Sequence, residues 1–80
     1  MLFRSATLEE ANLANATLVR ATLILSRCLL ANFAGADLTD ADLTGAMLLG
    51  ADFTGANLTG AILIGADILG ARFDGAIGFE

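Results

Sequence analysis

Apolar and polar residues alternate along this chain with a period of five. From residue 1 the sequence divides into sixteen units of five, without insertion or remainder. Alanine dominates the first position of a unit, leucine or phenylalanine the third, and glycine fills most fifth positions of the second half. Residues five apart are separated by about 140° around an α-helix. On a flat strand they point to opposite faces. Neither regular element alone explains the pattern.

A chain of short extended segments joined by corners does explain it. The first and third positions are two residues apart, so both side chains face inward. Glycine at the fifth position supplies the positive φ that a type II turn requires. Four segments and four corners close one coil of twenty residues, and stacked coils lie about 4.8 Å apart. The pattern predicts an all-β, square parallel β-solenoid of four coils, residues 1–20, 21–40, 41–60 and 61–80. We number its sides 1 to 4 by the order of units within a coil.

The early fifth positions and the last third position depart from this pattern. Glu10, Arg20, Leu25 and Leu30 occupy fifth positions. A positive φ is costly for such residues, so we expect the early corners not to be type II. Glycine corners are expected to dominate from residue 35 onward.

Solenoid ends normally need caps, because their terminal coils expose unpaired strand edges. This gives three alternatives: a longer parent chain, coils that pack end to end, or apolar plugs at the ends. The residues expected to act as plugs are Met1, Phe3 and Phe79, the last folding over the place that Gly78 leaves empty.

The register of twenty residues also predicts which side chains stack. One internal aromatic column is expected from Phe33, Phe53 and Phe73, with ring spacings favourable for stacking. The same register places Arg20 over Asp40, and Asp52 under Arg72. We therefore expect two ion pairs between coils, each contributing little if exposed.

Units such as ADLTG, ADFTG and ANLTG share the pattern A-(D/N)-(L/F)-x-x, which covers all eighty residues. This register resembles the pentapeptide-repeat family. The resemblance implies a right-handed quadrilateral β-helix, here a single domain over residues 1–80. It also implies that the biochemical activity has no ready assignment, because most members of the family lack one.

Composition argues against catalysis. The chain has no histidine, tyrosine or tryptophan, and no nucleophile–base pair can be assembled from the residues present. We therefore expect no enzyme, no cofactor and no metal site. Cys28 occupies an inward position and is interpreted as a small buried hydrophobe rather than a functional thiol. The nine acidic residues are spread over all four sides and are interpreted as solvated surface.

Composition also bears on location and on nucleic acids. Mean hydropathy is +0.74, but polar residues interrupt every apolar run before the roughly 18 residues of a membrane span. The start, MLFRSATLEE, has no apolar core of a signal peptide, so the cytoplasm is the expected compartment. Direct nucleic-acid binding is not expected, because the four basic residues lie on four different sides.

Outward-facing apolar residues gather on sides 1 and 2, whereas sides 3 and 4 present mainly threonine, asparagine and aspartate. We call the first group the apolar face: Ile24, Leu25, Leu29, Leu30, Met47, Leu49, Ile62, Ile64 and Leu69. An exposed apolar patch on a small protein usually marks an interface. The alternative is tolerated exposure that helps neighbouring side chains stack. If the face is an interface, glutamate at Leu49 and Leu69 should change the oligomeric state or abolish partner capture.

Two functions fit these features. The first is a non-catalytic scaffold for protein–protein interaction, whose partner is another protein or a second copy bound through the apolar face or the coil ends. The alternative is an acidic mimic of duplex DNA that binds DNA gyrase, as the resemblance implies for some long, dimeric members of the family. The net charge of −5 favours the mimic, but the coils carry 0, −1, −2 and −2. A stack about 19 Å tall also matches only about 11 duplex charges at 1.7 Å each. The scaffold is therefore the favoured interpretation.

Overall fold

The computed structural model, which describes residues 2–78, is a stack of coils whose backbones run parallel. The second residue of each unit forms an isolated parallel β-bridge with the residue twenty positions later, from Leu2 with Thr22 to Asn57 with Ile77. Turns follow at the fourth and fifth positions, from residues 4–5 to residues 74–75. Over residues 2–78 there is no helix, and the β-structure consists of these single-residue bridges. The predicted register of twenty residues is confirmed.

Backbone hydrogen bonds hold neighbouring coils together at three points per unit. In the unit that begins at Ala21, the N–H of Leu23 donates to the carbonyl of Asp42 over 2.7 Å. The N–H of Leu25 donates to the carbonyl of Thr44 over 2.9 Å, and the N–H of Asp42 donates back to the carbonyl of Ala21 over 2.9 Å. The same three bonds recur in every unit between residues 21–40 and 41–60. This ladder fixes the height and the register of each coil.

The corners differ from the prediction. Each is closed by a bond of the β-turn type, such as that from the Ala36 N–H to the Phe33 carbonyl, 2.9 Å. The glycines at the fifth position, from Gly35 to Gly75, have φ between +66° and +73°. The other residues at this position have φ between +58° and +61°: Ser5, Glu10, Asn15, Arg20, Leu25, Leu30 and Asp40. A positive φ at the third turn residue alone fits type II, so the expectation of different early corners is wrong. The left-handed conformation costs about 1–2 kcal/mol per residue, and the ladder on both sides of the corner holds it nonetheless.

Some glycines also leave space for a corner side chain of the preceding coil. A Cβ added to Gly45 would lie 2.8 Å from Cδ2 of Leu25, because the leucine side chain lies over the glycine of the next coil. Asn15 lies over Gly35 in the same way. At Gly55, by contrast, an added Cβ would meet nothing within 4 Å. Corner side chains therefore extend toward the following coil, and the glycine there makes room for them.

The side chain at the second position of a unit closes a local turn. The N–H of the fourth residue takes no part in the ladder, and an Asn or Asp side chain two residues earlier accepts it. Asp52 Oδ1 accepts the Thr54 N–H over 2.9 Å, and Asn32 Oδ1 accepts the Ala34 N–H over 2.9 Å. The Thr54 hydroxyl donates to the same Asp52 oxygen. Asn and Asp recur at this position because their side chains are the right length to accept a bond from two residues on.

The core is a single cluster of inward side chains that runs along the inside of the stack. First-position alanines and large third-position residues are fully buried in the middle of the stack, with Ser26 as the polar member. Third-position residues nearer the two ends pack against this cluster while staying partly exposed: Phe3, Leu8, Leu13, Leu63 and Phe73. Small alanines at the first position leave room for the large residues at the third.

The predicted aromatic column is confirmed. The rings of Phe33 and Phe53 are parallel within 2°, with centroids 4.9 Å apart. The ring centroids of Phe53 and Phe73 are 5.1 Å apart, and the angle between the ring planes is 0°. Because the rings follow the rise of the ladder, backbone register and side-chain stacking support each other.

Gly78 ends the described chain in a different conformation from other third-position residues. Its φ is +78°, and an added Cβ would lie 2.5 Å from the backbone N of Thr59. The backbone itself thus approaches the preceding coil, and a residue with a side chain would not fit. The proposed plugs Met1 and Phe79 lie outside the described residues.

Replacing Leu43 with alanine tests the packing of the core. Leu43 is fully buried, so we expect Leu43→Ala to lower the free energy of unfolding by about 2–5 kcal/mol, because backbone bonds prevent the coil from collapsing into the void. Ile64→Ala, at a position that is 73% exposed, is the control and should change it by less than about 0.5 kcal/mol. Urea unfolding followed by circular dichroism measures both. Equal effects would contradict the assignment of the interior.

A pair of glycines tests the corners. Gly35→Ala and Gly55→Ala place the same residue at nearly equal φ, +68° and +69°, but only Gly35 lies beneath Asn15. Each variant should lose about 1–2 kcal/mol from the left-handed conformation, and Gly35→Ala should lose more. Asn15→Ala should remove that excess in a double-mutant cycle of unfolding free energies. An excess that persists without the Asn15 side chain would show that crowding is not its cause.

Candidate interaction surface

Most of the apolar face is exposed to solvent. Ile64 and Leu69 are each 73% exposed, and Leu25 and Leu30 are each 55% exposed. Met47, Ile62 and Leu29 are exposed to a smaller degree. The remaining two, Ile24 and Leu49, are half-buried. Among the fourth-position residues, the exposed fraction is highest at Ile64 and Leu69, in the last predicted coil, and lower at Ile24, Leu29 and Leu49, which have coils on both sides.

The backbone register brings these residues together. Leu29, Leu49 and Leu69 occupy the fourth position of side 2 in successive coils, so they follow one line along the stack. At the corner, Cδ2 of Leu30 lies 2.6 Å from the position of a Cβ on Gly50. The corner leucine thus lies along the side instead of pointing away from it. Side 2 consequently carries a continuous line of leucines bordered by an apolar corner.

Several backbone N–H groups on the apolar face lack the Asn or Asp acceptor of the local turn, as those of Val19 and Asp74 on sides 4 and 3 also do. The N–H of Leu69, by contrast, donates to Asp67 Oδ1. In the four units of the apolar face without this acceptor, the second position carries Thr22, Arg27, Met47 or Ile62 in place of Asn or Asp. Within residues 2–78, the fourth-position N–H groups that follow have no hydrogen-bond acceptor: those of Ile24, Leu29, Leu49 and Ile64. These donors are left for water or for acceptors on another molecule. The absence of Asn or Asp two residues earlier was a signal in the sequence that our prediction did not use.

Ion pairs form at other places than predicted. Within residues 2–78, Arg27 pairs with Glu9 over 3.5 Å, and Arg72 pairs with Asp74 over 3.2 Å. The predicted pairs of Arg20 with Asp40 and of Arg72 with Asp52 do not form. Arg72 instead reaches the carboxylate two residues along its own side. All four side chains of the observed pairs are well exposed, so the pairs contribute little stability.

Several carboxylates are part of the local turns. Hydrogen bonds from the hydroxyl and the N–H of Thr39, Thr44 and Thr54 lower the pKa of the aspartates two residues earlier: Asp37, Asp42 and Asp52. A smaller contribution comes from Arg4 to Asp42 and from Arg72 to Asp52. The ionised form accepts these bonds best, so these side chains are held charged at neutral pH.

Cys28 is fully buried, as predicted. Its Sγ lies 3.3 Å from Oγ of Ser26, whose hydroxyl donates to the Leu23 carbonyl over 2.8 Å. Burial raises the pKa of the Cys28 thiol, and the contact with Ser26 opposes this in part. A buried thiol with a raised pKa contains little reactive thiolate.

Neither a metal centre nor a membrane helix is found in the part of the chain that the structure describes. Among residues 2–78, no three Cys, Asp or Glu side chains come together as a group that could hold a metal ion. Over the same range, no helix has the length and apolar character needed to cross a membrane.

Comparison with known proteins identifies the family. The family model described as pentapeptide repeats matches in 8 copies, over residues 25–63 and 50–77. The chain belongs to the pentapeptide-repeat family. A comparison with curated proteins gives no match.

Solved pentapeptide repeat proteins share the fold of this chain. One from Nostoc Pcc 7120 is 38% identical, with a TM-score of 0.88 over 94% of this chain and 62% of its own. One from the thylakoid lumen of Arabidopsis thaliana is 35% identical, with a TM-score of 0.64 over 94% and 59%. Rfr23 from the cyanobacterium Cyanothece 51142 is 33% identical, with a TM-score of 0.60 over 91% and 54%. The chain spans about three fifths of the length of these proteins.

The aspartate turns predict how stability depends on pH. The lowered pKa values of Asp37, Asp42 and Asp52 mean that their contribution is fully present above the unfolded-state pKa of about 3.9. That contribution is lost as the pH falls from there through the lower folded-state values. The triple change of these residues to asparagine keeps the acceptor oxygen but removes the titrating group. We expect this variant to lose less stability than the parent between neutral pH and pH 2–3, as measured by urea unfolding. Parallel losses would contradict the assignment.

Proposed function

We propose that this pentapeptide-repeat protein is a non-catalytic scaffold whose apolar face binds another protein. In this proposal the chain forms a right-handed quadrilateral β-helix of four coils and a single domain over residues 1–80. The observation that carries the proposal is the separation of surfaces. Exposed leucine and isoleucine gather on sides 1 and 2, while sides 3 and 4 bear hydrogen-bonded Asn, Asp and Thr.

The energetics of the apolar face support binding. Burying the largely exposed side chains of Ile64 and Leu69 would contribute about 1–2 kcal/mol each. Little backbone entropy is lost on docking, because the ladder between coils already fixes this surface. The unpaired N–H groups of Leu29 and Leu49 offer donors beside the apolar side chains. A partner surface with apolar side chains and a few carbonyl or carboxylate oxygens would match both features.

The chemistry of the described residues supports a non-catalytic role. The buried thiol of Cys28 has no ionisable partner, only the Ser26 hydroxyl and the apolar core. The aspartates with perturbed pKa values are acceptors in local turns, which explains their perturbation without catalysis. Perturbed carboxylates are candidates for a functional site only where such structural causes do not account for them.

Mimicry of duplex DNA is less well supported. Asn32 and Asn57 make the same turn bond as Asp52, so this position selects an acceptor rather than a negative charge. The longest dimension is 26 Å, which matches about 15 duplex charges at 1.7 Å each. The chain offers nine acidic residues against four arginines. Charge density and distribution therefore favour the scaffold.

Substitution of the most exposed apolar residues tests the proposal. A photo-crosslinking residue at position 69 should capture a partner in cells that the same residue at position 14, on side 3, does not. With that partner purified, Ile64→Glu/Leu69→Glu should weaken binding at least tenfold, because the two carboxylates would be buried in an apolar contact. The matched control is Ala14→Glu/Val19→Glu, at outward fourth positions of sides 3 and 4, which should change Kd less than twofold. Equal capture at both positions, or equal Kd values, would overturn the proposal.

A supercoiling assay distinguishes the protein-binding scaffold from the DNA mimic. Purified protein should neither inhibit DNA gyrase nor protect it from a quinolone, because no side presents a dense line of carboxylates. Inhibition or protection that disappears in the Asp37, Asp42 and Asp52 triple asparagine variant would favour the DNA mimic instead.

A further inference from the structure

Two lines of outward side chains with different chemistry run along side 2. Parallel bridges join Arg27 to Met47 and Met47 to Asp67, so the second-position line passes from a positive charge through an apolar residue to a negative charge. Stacked coils are about 4.8 Å apart, so the two charges lie at equal distances on either side of Met47. The line of leucines at the fourth position runs beside them and repeats at the same spacing. Side 2 therefore carries opposite charges placed symmetrically about an apolar centre.

This symmetry makes side 2 complementary to itself. A two-fold axis that lies in the contact plane, perpendicular to the stack at the height of Met47, turns one copy upside down against the other. The second-position lines of the two copies then face each other. Arg27 of each copy lies opposite Asp67 of the other, and Met47 lies opposite its own equivalent. Such a contact is isologous and closes as a dimer.

The same axis brings the leucines of the two copies together. Leu29 of each copy lies opposite Leu69 of the other, and Leu49 lies opposite its own equivalent. Sheets that pack face to face are about 10 Å apart, which lets side chains of this size touch. Leu30 lies over Gly50 along the corner, so it borders this apolar contact. Opposite charges thus pair along one line while leucines pair along the other.

The second copy also offers an acceptor to an unpaired backbone donor. The N–H of Leu29 has no acceptor within residues 2–78. The equivalent N–H of Ala34 bonds to the outward side chain of Asn32, which indicates that this donor faces outward. Across the contact, Oδ1 of Asp67 accepts the Leu69 N–H over 3.2 Å, and Oδ2 has no hydrogen-bond partner among the described residues. In the dimer, that second oxygen can accept from the Leu29 N–H as well as from the arginine.

Arg27 can form the new pair without losing the one it has. Its Nη2 lies 3.5 Å from Oε2 of Glu9, and 58% of its side chain is exposed. A guanidinium carries five N–H donors in a planar fork. It can therefore keep Glu9 and still bind a carboxylate of a second copy. Charge pairs at such a contact are expected to set its register more than its strength.

Other alignments of side 2 leave its charges unpaired. With a two-fold axis parallel to the stack, second positions face fourth positions, so Arg27 would oppose Leu29 and Asp67 would oppose Leu69. With the perpendicular axis at the height of Arg27, that arginine would oppose its own equivalent. With the axis midway between these two heights, Arg27 would oppose Met47. A charge buried without its partner is costly, so the axis at Met47 is favoured over each of these.

We propose that the apolar face binds a second copy of this chain, antiparallel through side 2, with the two-fold axis at Met47. This proposal rests on the proposed function, because it names the protein that the apolar face binds. The partner expected there has apolar side chains and a few carbonyl or carboxylate oxygens. Side 2 of a second copy presents both, in its leucines and in Asp67.

The size of side 2 limits the strength of this dimer. The described fold extends 26 × 22 × 21 Å and has a surface of 4225 Å², so one of six similar faces has about 700 Å². A standard interface buries about 800 Å² on each partner. Residues 7–10 extend past the overlap, which lowers the buried area further. We therefore expect a reversible dimer with a dissociation constant in the micromolar range or higher.

Charge reversal tests the pairing of Arg27 with Asp67. Arg27→Asp alone and Asp67→Arg alone each place like charges opposite each other, and each should raise Kd about tenfold or more. The double variant Arg27→Asp/Asp67→Arg restores opposite charges and should bring Kd back to within about threefold of the parent. Arg20→Asp, at an exposed corner of side 4, is the control and should change Kd less than about twofold. Sedimentation equilibrium at low ionic strength measures the parent and every variant.

Cross-linking tests the position of the axis. Met47→Cys places one thiol of each copy at the axis, where a short bismaleimide can bridge facing sheets about 10 Å apart. The matched control is Thr17→Cys, at an exposed second position of side 4 that, like Met47, accepts no turn bond within residues 2–78. Native Cys28 is fully buried and contributes little background. We expect about tenfold more linked dimer from Met47→Cys, as measured by mass spectrometry.

Thermal unfolding checks that each variant is folded. A monomer at all concentrations, equal linking at positions 47 and 17, or a double charge variant that binds no tighter than the single variants would contradict the dimer. The photo-crosslinking residue at position 69 distinguishes this failure from that of the proposed function. Capture of a different protein without self-linked product would reject the second copy and retain the scaffold. Equal capture at positions 14 and 69 would reject both.

Discussion

The ladder of backbone hydrogen bonds between coils is the constraint on which the rest of this structure depends. Each unit bonds to the units twenty residues away, at distances near 2.7–2.9 Å, and no described strand is longer than a single bridge residue. Most of the stabilising bonds thus join residues distant in sequence. The ladder sets the ring spacing in the phenylalanine column. It also holds Leu25 and Leu30 in a left-handed conformation that costs about 1–2 kcal/mol per residue.

The period of five residues was enough to predict the register and the interior. It placed Phe33, Phe53 and Phe73 in one column because inward positions repeat independently of the outer side chains. It failed at the corners, because the local cost of a positive φ was weighed without the ladder bonds on both sides. It failed for the ion pairs because stacking places backbones, while a flexible arginine such as Arg72 finds its nearest carboxylate.

The candidate surface was predictable in outline. Seven of the nine residues of the apolar face are exposed, and the two exceptions, Ile24 and Leu49, are half-buried, whereas Ile64 and Leu69 at the same positions of the last predicted coil are 73% exposed. The place of a residue in the five-residue unit decides whether its side chain faces inward or outward, but its degree of exposure depends on what lies above and below it. The unpaired N–H groups of the same face follow from missing Asn and Asp residues, whose structural role becomes visible only where they are present.

A period of twenty built from units of five has a consequence for how such a chain changes in length. Loss or gain of one whole unit preserves the inward alanine and leucine positions, so the interior still packs. Every residue beyond that point, however, is carried a quarter turn around the axis. A deletion ahead of Ile62 would move Ile64 and Leu69 to neighbouring sides and divide the apolar face. Changes of one complete coil would lengthen the surface and leave it aligned, so length variation in steps of twenty is the kind that conserves a lateral binding site.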